Sequence, residues 1–144
     1  MSGMSYFEHE RLDVYKAAKQ FALAMDGIAE RIRNRRMHLA DQLFRASSSI
    51  LFNIAEGAGE RSSAEKSRFY RIARRSATEC ASILDVCHEL GLIEEVSYKQ
   101  HRELLLRVVA MLTKMVRGTT YEAREVDMRS KASGQLQLMA DGTE

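Results

Sequence analysis

Residues 45–57 read RASSSILFNIAEG, and this stretch decides the fold of the chain. Polar side chains recur in it at steps of three and four residues, which is the spacing of one stripe along an α-helix. Apolar residues fill the sectors on both sides of the stripe, and a helix that is apolar nearly all round is normally buried. The stretch therefore predicts a helix with two packed faces. The polar seam between them consists of Gln42, Arg45, Ser49, Asn53 and Glu56.

A buried seam needs partners, because an unpaired charge inside a protein is very costly. We expect a structural polar network, within one subunit or between subunits, that fixes register and oligomeric state. An alternative makes Glu56 a general base and Arg45 an anion ligand. No second acid, nucleophilic dyad or histidine accompanies them, so no catalytic residue is predicted. The predicted network comprises Arg45, Ser49, Asn53 and Glu56 with Ser76 and Glu79 of the following helix.

Four amphipathic segments follow one another along the chain. The first is predicted from about Phe7 to Arg33, with the arginines at 31–36 capping its C-terminus. The second runs from about Met37 to Glu56, and Gly57 suits the left-handed position after a helix. The Gly57-Ala58-Gly59 run also resembles a weak anion nest, although a helix stop with a turn explains it better.

The third and fourth helices carry their own start and stop signals. Ser62 is the predicted N-cap of helix three, with Glu65 completing a capping box. Helix three should end at Leu90, where Gly91 predicts a Schellman stop. Helix four should begin after Ser97 as N-cap and end at Gly118.

Composition and link length favour one architecture. The chain has no proline and few glycines, so strands would lack the turns that they need. Four long helices joined by short links predict an all-α, antiparallel up-down-up-down four-helix bundle over residues 1–118. Residues 119–144 form a polar C-terminal tail with few apolar side chains. We expect it to be flexible, or to be an arm that orders on a neighbouring subunit.

The net charge of +2 is too small to indicate by itself which kind of partner the protein binds. No apolar run approaches the roughly 18 residues of a membrane span. The N-terminus lacks the apolar segment of a signal peptide, which predicts a cytoplasmic protein. Cys80 and Cys87 would lie about 10 Å apart on one helix, too far to bridge, and are expected to be reduced core residues. The histidines lack metal-ligand spacing and there is no P-loop, so neither a metal nor a cofactor is predicted.

Residues 61–75, RSSAEKSRFYRIARR, concentrate positive charge in the first third of helix three. Cations are mildly destabilising near a helix N-terminus, so helix stability does not explain the cluster, whereas phosphate binding would. The alternative is a solvated face with ion pairs, such as Arg75 with Glu79, or pairing between subunits. The candidate nucleic-acid-binding residues, named the basic ridge from here on, are Arg61, Lys66, Arg68, Arg71, Arg74 and Arg75.

Two sequence runs carry a family resemblance. LFRASSSILFNIAEGAGERS and the following SRFYRIARRSATE resemble the small bacterial proteins encoded within intervening sequences of 23S ribosomal RNA genes. They are similar also to the accessory proteins of diversity-generating retroelements. The resemblance covers about Phe7 to Gly118 and implies an antiparallel four-helix bundle, commonly a ring-shaped homopentamer. It also implies association with nucleic acid and a reverse transcriptase in the retroelement branch.

Taken together, these features predict a non-enzymatic homo-oligomer, with five subunits implied by the resemblance. Its expected role is a nucleic-acid-binding or ribonucleoprotein accessory scaffold, with RNA or DNA, and a reverse transcriptase or ribosomal component, as partners. A second hypothesis is a protein-interaction adaptor whose basic ridge docks an acidic partner. A third is a small enzyme that uses Arg45 and Glu56.

Overall fold

The computed structural model describes residues 3–142 of the chain. Four α-helices follow a short 3₁₀ turn at Glu8–Arg11, and the described residues contain no strand. Each helix packs against its neighbours in the chain, and α1 also packs against α4, so the four helices close into a bundle. The predicted all-α four-helix bundle is confirmed. The helices are α1 (Asp13–Ile32), α2 (Met37–Gly59), α3 (Ser63–Glu89) and α4 (Glu95–Asp141).

The core is built from one face of each helix. Its fully buried side chains include Phe21 of α1, Ile50 of α2, Leu84 of α3 and Leu112 of α4. Cys80 and Cys87 are free and buried, as expected. Burial, with a smaller contribution from the charge of Glu79, raises the pKa of the Cys80 thiol to about 12. The thiolate is the reactive form of cysteine, so Cys80 is a packing residue with an unreactive sulfur.

The Ser62 N-cap and the Gly91 stop of α3 are confirmed, but only the Ser62 half of the predicted capping box is formed, because the Glu65 carboxylate bonds Arg68 instead. Ser62 is the N-cap, and its Oγ accepts a hydrogen bond from the backbone N–H of Glu65 at 3.1 Å. At the other end, the N–H of Leu92 donates to the carbonyl of Cys87 at 2.9 Å, and Gly91 adopts φ +68°. This pairing is the Schellman motif, and a left-handed residue is what it requires.

The prediction that Gly57 ends α2 is wrong. The helix continues through Gly57 and Ala58 to Gly59, and Gly91 is the one residue of the described chain with a positive φ. Gly57 is needed for a different reason: a Cβ atom there would lie 2.6 Å from Cε1 of Tyr70 and 3.1 Å from Cβ of Phe69. The absence of a side chain therefore allows α2 to approach α3 closely.

Two predicted helix starts also differ from the structure. Helix α1 does not begin at Phe7. The Glu10 carboxylate accepts a hydrogen bond from the backbone N–H of Phe7 at 2.9 Å, which closes a separate turn. Leu12, in an extended conformation, separates this turn from α1. Helix α4 starts at Glu95, and its N-cap Glu94 lies three residues before the predicted N-cap Ser97. Ser97 lies inside the first turn, where its hydroxyl contacts Nδ1 of His101 at 3.2 Å.

The predicted end of helix four at Gly118 is wrong as well, because α4 continues without a break to Asp141. Thr119 is buried, and its hydroxyl donates to the carbonyls of Met115 and Val116 at 2.9 and 3.1 Å. Two hydroxyls of α3 hold the continuing helix: Ser63 bonds Glu122 at 3.0 Å, and Ser67 lies 3.4 Å from Thr120. The helix therefore leaves the bundle still paired with α3.

Beyond Ala123 every described residue of α4 is exposed. We name residues 124–141 the C-terminal extension. Ion pairs one turn apart, Arg129 with Glu125 and Lys131 with Asp127, lie along its surface. The predicted tail is thus helical as far as Asp141, whereas its flexibility stays a prediction. Residues 1, 2, 143 and 144 of the two predicted parts lie outside the described chain.

Candidate nucleic-acid interface

The basic ridge begins at Arg61, just before α3, and continues along the first half of α3, on the side away from the core. Ser67, Tyr70 and Ala73 of the same turns are buried, which leaves the remaining sectors of the helix to the basic side chains. Arg74 and Lys66 are half-buried. The four exposed members are Arg61, Arg68, Arg71 and Arg75.

Most of the ridge has no acidic partner. Within residues 3–142, Arg61, Arg71, Arg74 and Arg75 form no ion pair with any carboxylate, and the alternative pairing of Arg75 with Glu79 is not formed. The helix macrodipole stabilises cations at a helix C-terminus, and it gives no stabilisation to cations in this half of α3. Neither local pairing nor helix stability therefore accounts for four arginines in this place.

Arg68 is engaged more closely by its neighbours. Its Nη2 lies 3.0 Å from Oε2 of Glu65, and its guanidinium carbon lies 4.5 Å from the ring centroid of Phe69. Both side chains of the ion pair are about half exposed, and such pairs contribute little to stability. The pair with Glu65 is therefore weak enough to yield to a phosphate.

The structure gives Lys66 an internal role instead. Its Nζ donates to the carbonyls of Gly57 at 3.2 Å and Ala58 at 2.9 Å, both in the last turn of α2. Carbonyls at a helix C-terminus lack partners in their own helix and carry partial negative charge, which a lysine neutralises. Lys66 therefore caps α2, a role that depends on how the 60–62 link folds and leaves no periodic signal in the sequence.

Sequence analysis missed one basic residue beside the ridge. Arg124 of α4 lies across from Arg71 in a cleft of about 300 Å³ between α3 and the start of the C-terminal extension. It was missed because helix four was expected to end at Gly118. The signal that could have revealed it is the run of oppositely charged residues four apart, at 125/129 and 127/131, which favours a continuing helix.

The predicted polar network is assembled only in part. Ser49 Oγ lies 2.8 Å from Ser76 Oγ, and the Asn53 side-chain amide donates to the carbonyl and hydroxyl oxygens of Ser49 at 2.8 and 3.1 Å. These three residues tie α2 to α3. Among the described residues, no hydrogen bond or ion pair connects the network to the exposed side chains of Arg45, Glu56 and Glu79.

Those exposed charges share the outer face of α2 with large apolar side chains. Phe44 is 46% exposed and Phe52 is 60% exposed in the single chain. Arg45 and Glu56 lie beside them and form no ion pair with each other. This outer face therefore combines exposed aromatic surface with charges of both signs.

Two further kinds of site are absent from residues 3–142. No group of three or more His, Cys, Asp and Glu residues is placed to hold a metal ion. No helix in this range is long and apolar enough to cross a membrane.

Comparison with known proteins places these features in context. A family model described as 23S rRNA-intervening sequence protein matches residues 10–114. A crystal structure described as a protein with unknown function from the S23 ribosomal protein family of Bacteroides thetaiotaomicron superimposes with a TM-score of 0.68 at 20% identity. The match covers 72% of this chain and 97% of that one, and at this identity it shows a shared fold alone. No curated protein matches the chain.

Proposed function

The chain belongs to the 23S rRNA-intervening sequence protein family, and we propose that it is a non-enzymatic scaffold that binds nucleic acid through the basic ridge. The observation that carries this proposal is the set of exposed arginines without carboxylate partners at the N-terminal end of α3. Guanidinium groups bind phosphates through two parallel hydrogen bonds, and a nucleic acid backbone supplies phosphates in a row. Its place of action in this proposal is the cytoplasm.

The proposed scaffold is a homo-oligomer. Phe44 and Phe52 offer aromatic surface on α2 that the chain itself does not cover, and Arg45 and Glu56 supply charged groups around it. A second subunit would bury the aromatic rings and pair the charges. Five subunits are the number that the family resemblance implies. A closed ring would repeat the ridge around its circumference and so multiply weak phosphate contacts.

Binding to phosphates has a recognisable signature. Contacts to the backbone carry little sequence information, and each one releases counterions. The wild-type protein should therefore bind two single-stranded RNAs of unrelated sequence with similar affinity, and that affinity should fall steeply between about 50 and 200 mM salt. Fluorescence anisotropy with labelled oligonucleotides measures both properties, and matched DNA strands show which nucleic acid is preferred. Absence of binding at low salt would overturn the proposal.

A protein-interaction adaptor is the second candidate function. It is favoured by an apolar groove of about 180 Å³ between α3 and α4. Leu106, at its edge, is 52% exposed. A reverse transcriptase or a ribosomal component is the partner that the resemblance suggests. If the chain binds such a protein but does not bind nucleic acid at low salt, the result would favour the adaptor function. The groove is lined by Ala77, Thr78, Ala81, Arg102, Leu105, Leu106 and Val109.

A further inference from the structure

We propose that the cleft between α3 and the C-terminal extension is a phosphate subsite of the ridge, in which Arg71 and Arg124 hold one phosphodiester group. This inference rests on the proposed function and names a site for it. The cleft is a shallow surface depression of about 300 Å³ that is widely open to solvent. Its lining consists of Ala64, Ser67, Arg71, Thr120, Ala123, Arg124 and Asp127.

The two arginines reach the cleft from different helices. Nε of Arg71 donates to the carbonyl of Ser67 at 3.4 Å, and its two terminal NH₂ groups have no hydrogen-bond partner among residues 3–142. The side chain of Arg124 forms no hydrogen bond or ion pair with any residue in the same range. Two free guanidinium groups facing one cleft repel each other, and an anion between them relieves that repulsion.

The rest of the lining suits an anion as well. The hydroxyls of Ser67 and Thr120 lie 3.4 Å apart, and each can donate to a phosphate oxygen. Asp127 is the one acidic residue in the lining, and its carboxylate is paired with Nζ of Lys131 at 2.7 Å. Ser67 and Ala64 belong to the first turns of α3, where the helix dipole favours negative charge.

A phosphodiester fits this cleft better than free phosphate does, because of what lies beside it. Arg75 follows Arg71 one helical turn further along α3, a rise of about 6 Å. A nucleic acid strand that places one phosphate in the cleft can therefore continue along the ridge, while a lone phosphate gains only the cleft contacts. Arg71 lies within residues 10–114, which the family model matches, whereas Arg124 of the C-terminal extension lies outside them.

The test compares Arg124→Gln with Arg129→Gln in the full-length protein. Both substitutions remove one positive charge from the extension, but Arg129 is paired with Glu125 and does not line the cleft. We expect Arg124→Gln to weaken binding of a labelled single-stranded RNA about tenfold at 50 mM salt and to flatten its salt dependence. Arg129→Gln should match the wild type. Arg71→Gln combined with Arg124→Gln should lose less than the product of the two single losses, because both groups hold the same phosphate.

The outcomes separate the subsite from the function on which it rests. If the wild type binds and Arg124→Gln binds equally well, the subsite is wrong and the proposed function stands. If the wild type does not bind at low salt, both fail. Sodium phosphate should displace the RNA no better than sodium chloride at equal ionic strength. Stronger displacement that Arg124→Gln abolishes would make the cleft a free-phosphate site and overturn the phosphodiester assignment. Circular dichroism on each variant verifies that α4 remains helical.

Discussion

Gly57 shows how a single hydrogen atom in place of a side chain sets the distance between two helices. The glycine lies in the last turn of α2, where the ring of Tyr70 on α3 occupies the space that a Cβ would need. Tyr70 is buried, so its ring cannot move aside into solvent. Lys66 of α3 bonds the carbonyl of the same glycine. Close packing and helix capping are therefore joined at this one residue.

Gly57→Ala should destabilise the fold by about 1–3 kcal/mol, the usual cost of forcing extra volume into a packed site. Gly59→Ala is the matched control, because Gly59 belongs to the same helical turn and has no atom within 4 Å of an added Cβ. That change should be neutral or stabilise by up to about 1 kcal/mol. Urea unfolding followed by circular dichroism gives both values. Equal values for the two variants would refute the close-approach explanation.

At the scale of the element, α4 is the helix whose extent matters most for function. Its 47 residues make it roughly 70 Å long, well beyond the bundle that its first half helps to form. This length brings Arg124 beside Arg71. The continuity of the helix through Gly118 is therefore what creates the cleft.

Whether a Gly118 substitution raises or lowers the stability of the protein tests the continuity of α4. Gly118 lies inside a helix in open space, so Gly118→Ala should stabilise the protein by up to about 1 kcal/mol. Gly91, at φ +68°, occupies a true left-handed stop, and Gly91→Ala should destabilise by about 1–2 kcal/mol. Thermal unfolding of the two variants provides the comparison. A loss of stability in Gly118→Ala would mean that the helix ends there.

Helix periodicity predicted the four elements and their core faces because burial repeats every three to four residues. It also identified the caps at Ser62 and Gly91, where the interactions are local. The same reasoning failed at Gly57 and Gly118, since a glycine in a sequence does not reveal whether its backbone turns or a neighbour presses against it. Of the candidate ridge, sequence placed the exposed arginines correctly. It could not foresee that Lys66 caps another helix, because that contact is tertiary.

At the scale of the whole molecule, the outer face of α2 is the surface on which we expect the subunits to associate. Light scattering on the wild type at micromolar concentration should show more than one chain, with five expected from the resemblance. Phe44→Ser combined with Phe52→Ser should shift the protein toward the monomer while its helicity remains, since both rings are exposed in the single chain. Leu106→Ser, which removes an exposed side chain from α4, should leave assembly unchanged. A monomeric wild type would contradict the proposed assembly.

The central claim is that the basic ridge binds nucleic acid phosphates, and the slope of log affinity against log salt tests it most directly. Each phosphate contact contributes roughly 0.7–0.9 to this slope. Replacing Arg68, Arg71 and Arg75 together by Gln should therefore reduce its magnitude by about 2, with helicity retained. The control replaces Arg31, Arg35 and Arg36, three exposed arginines at the opposite end of the bundle, and should leave the slope unchanged. Equal slopes for the ridge variant, the control and the wild type would contradict the claim.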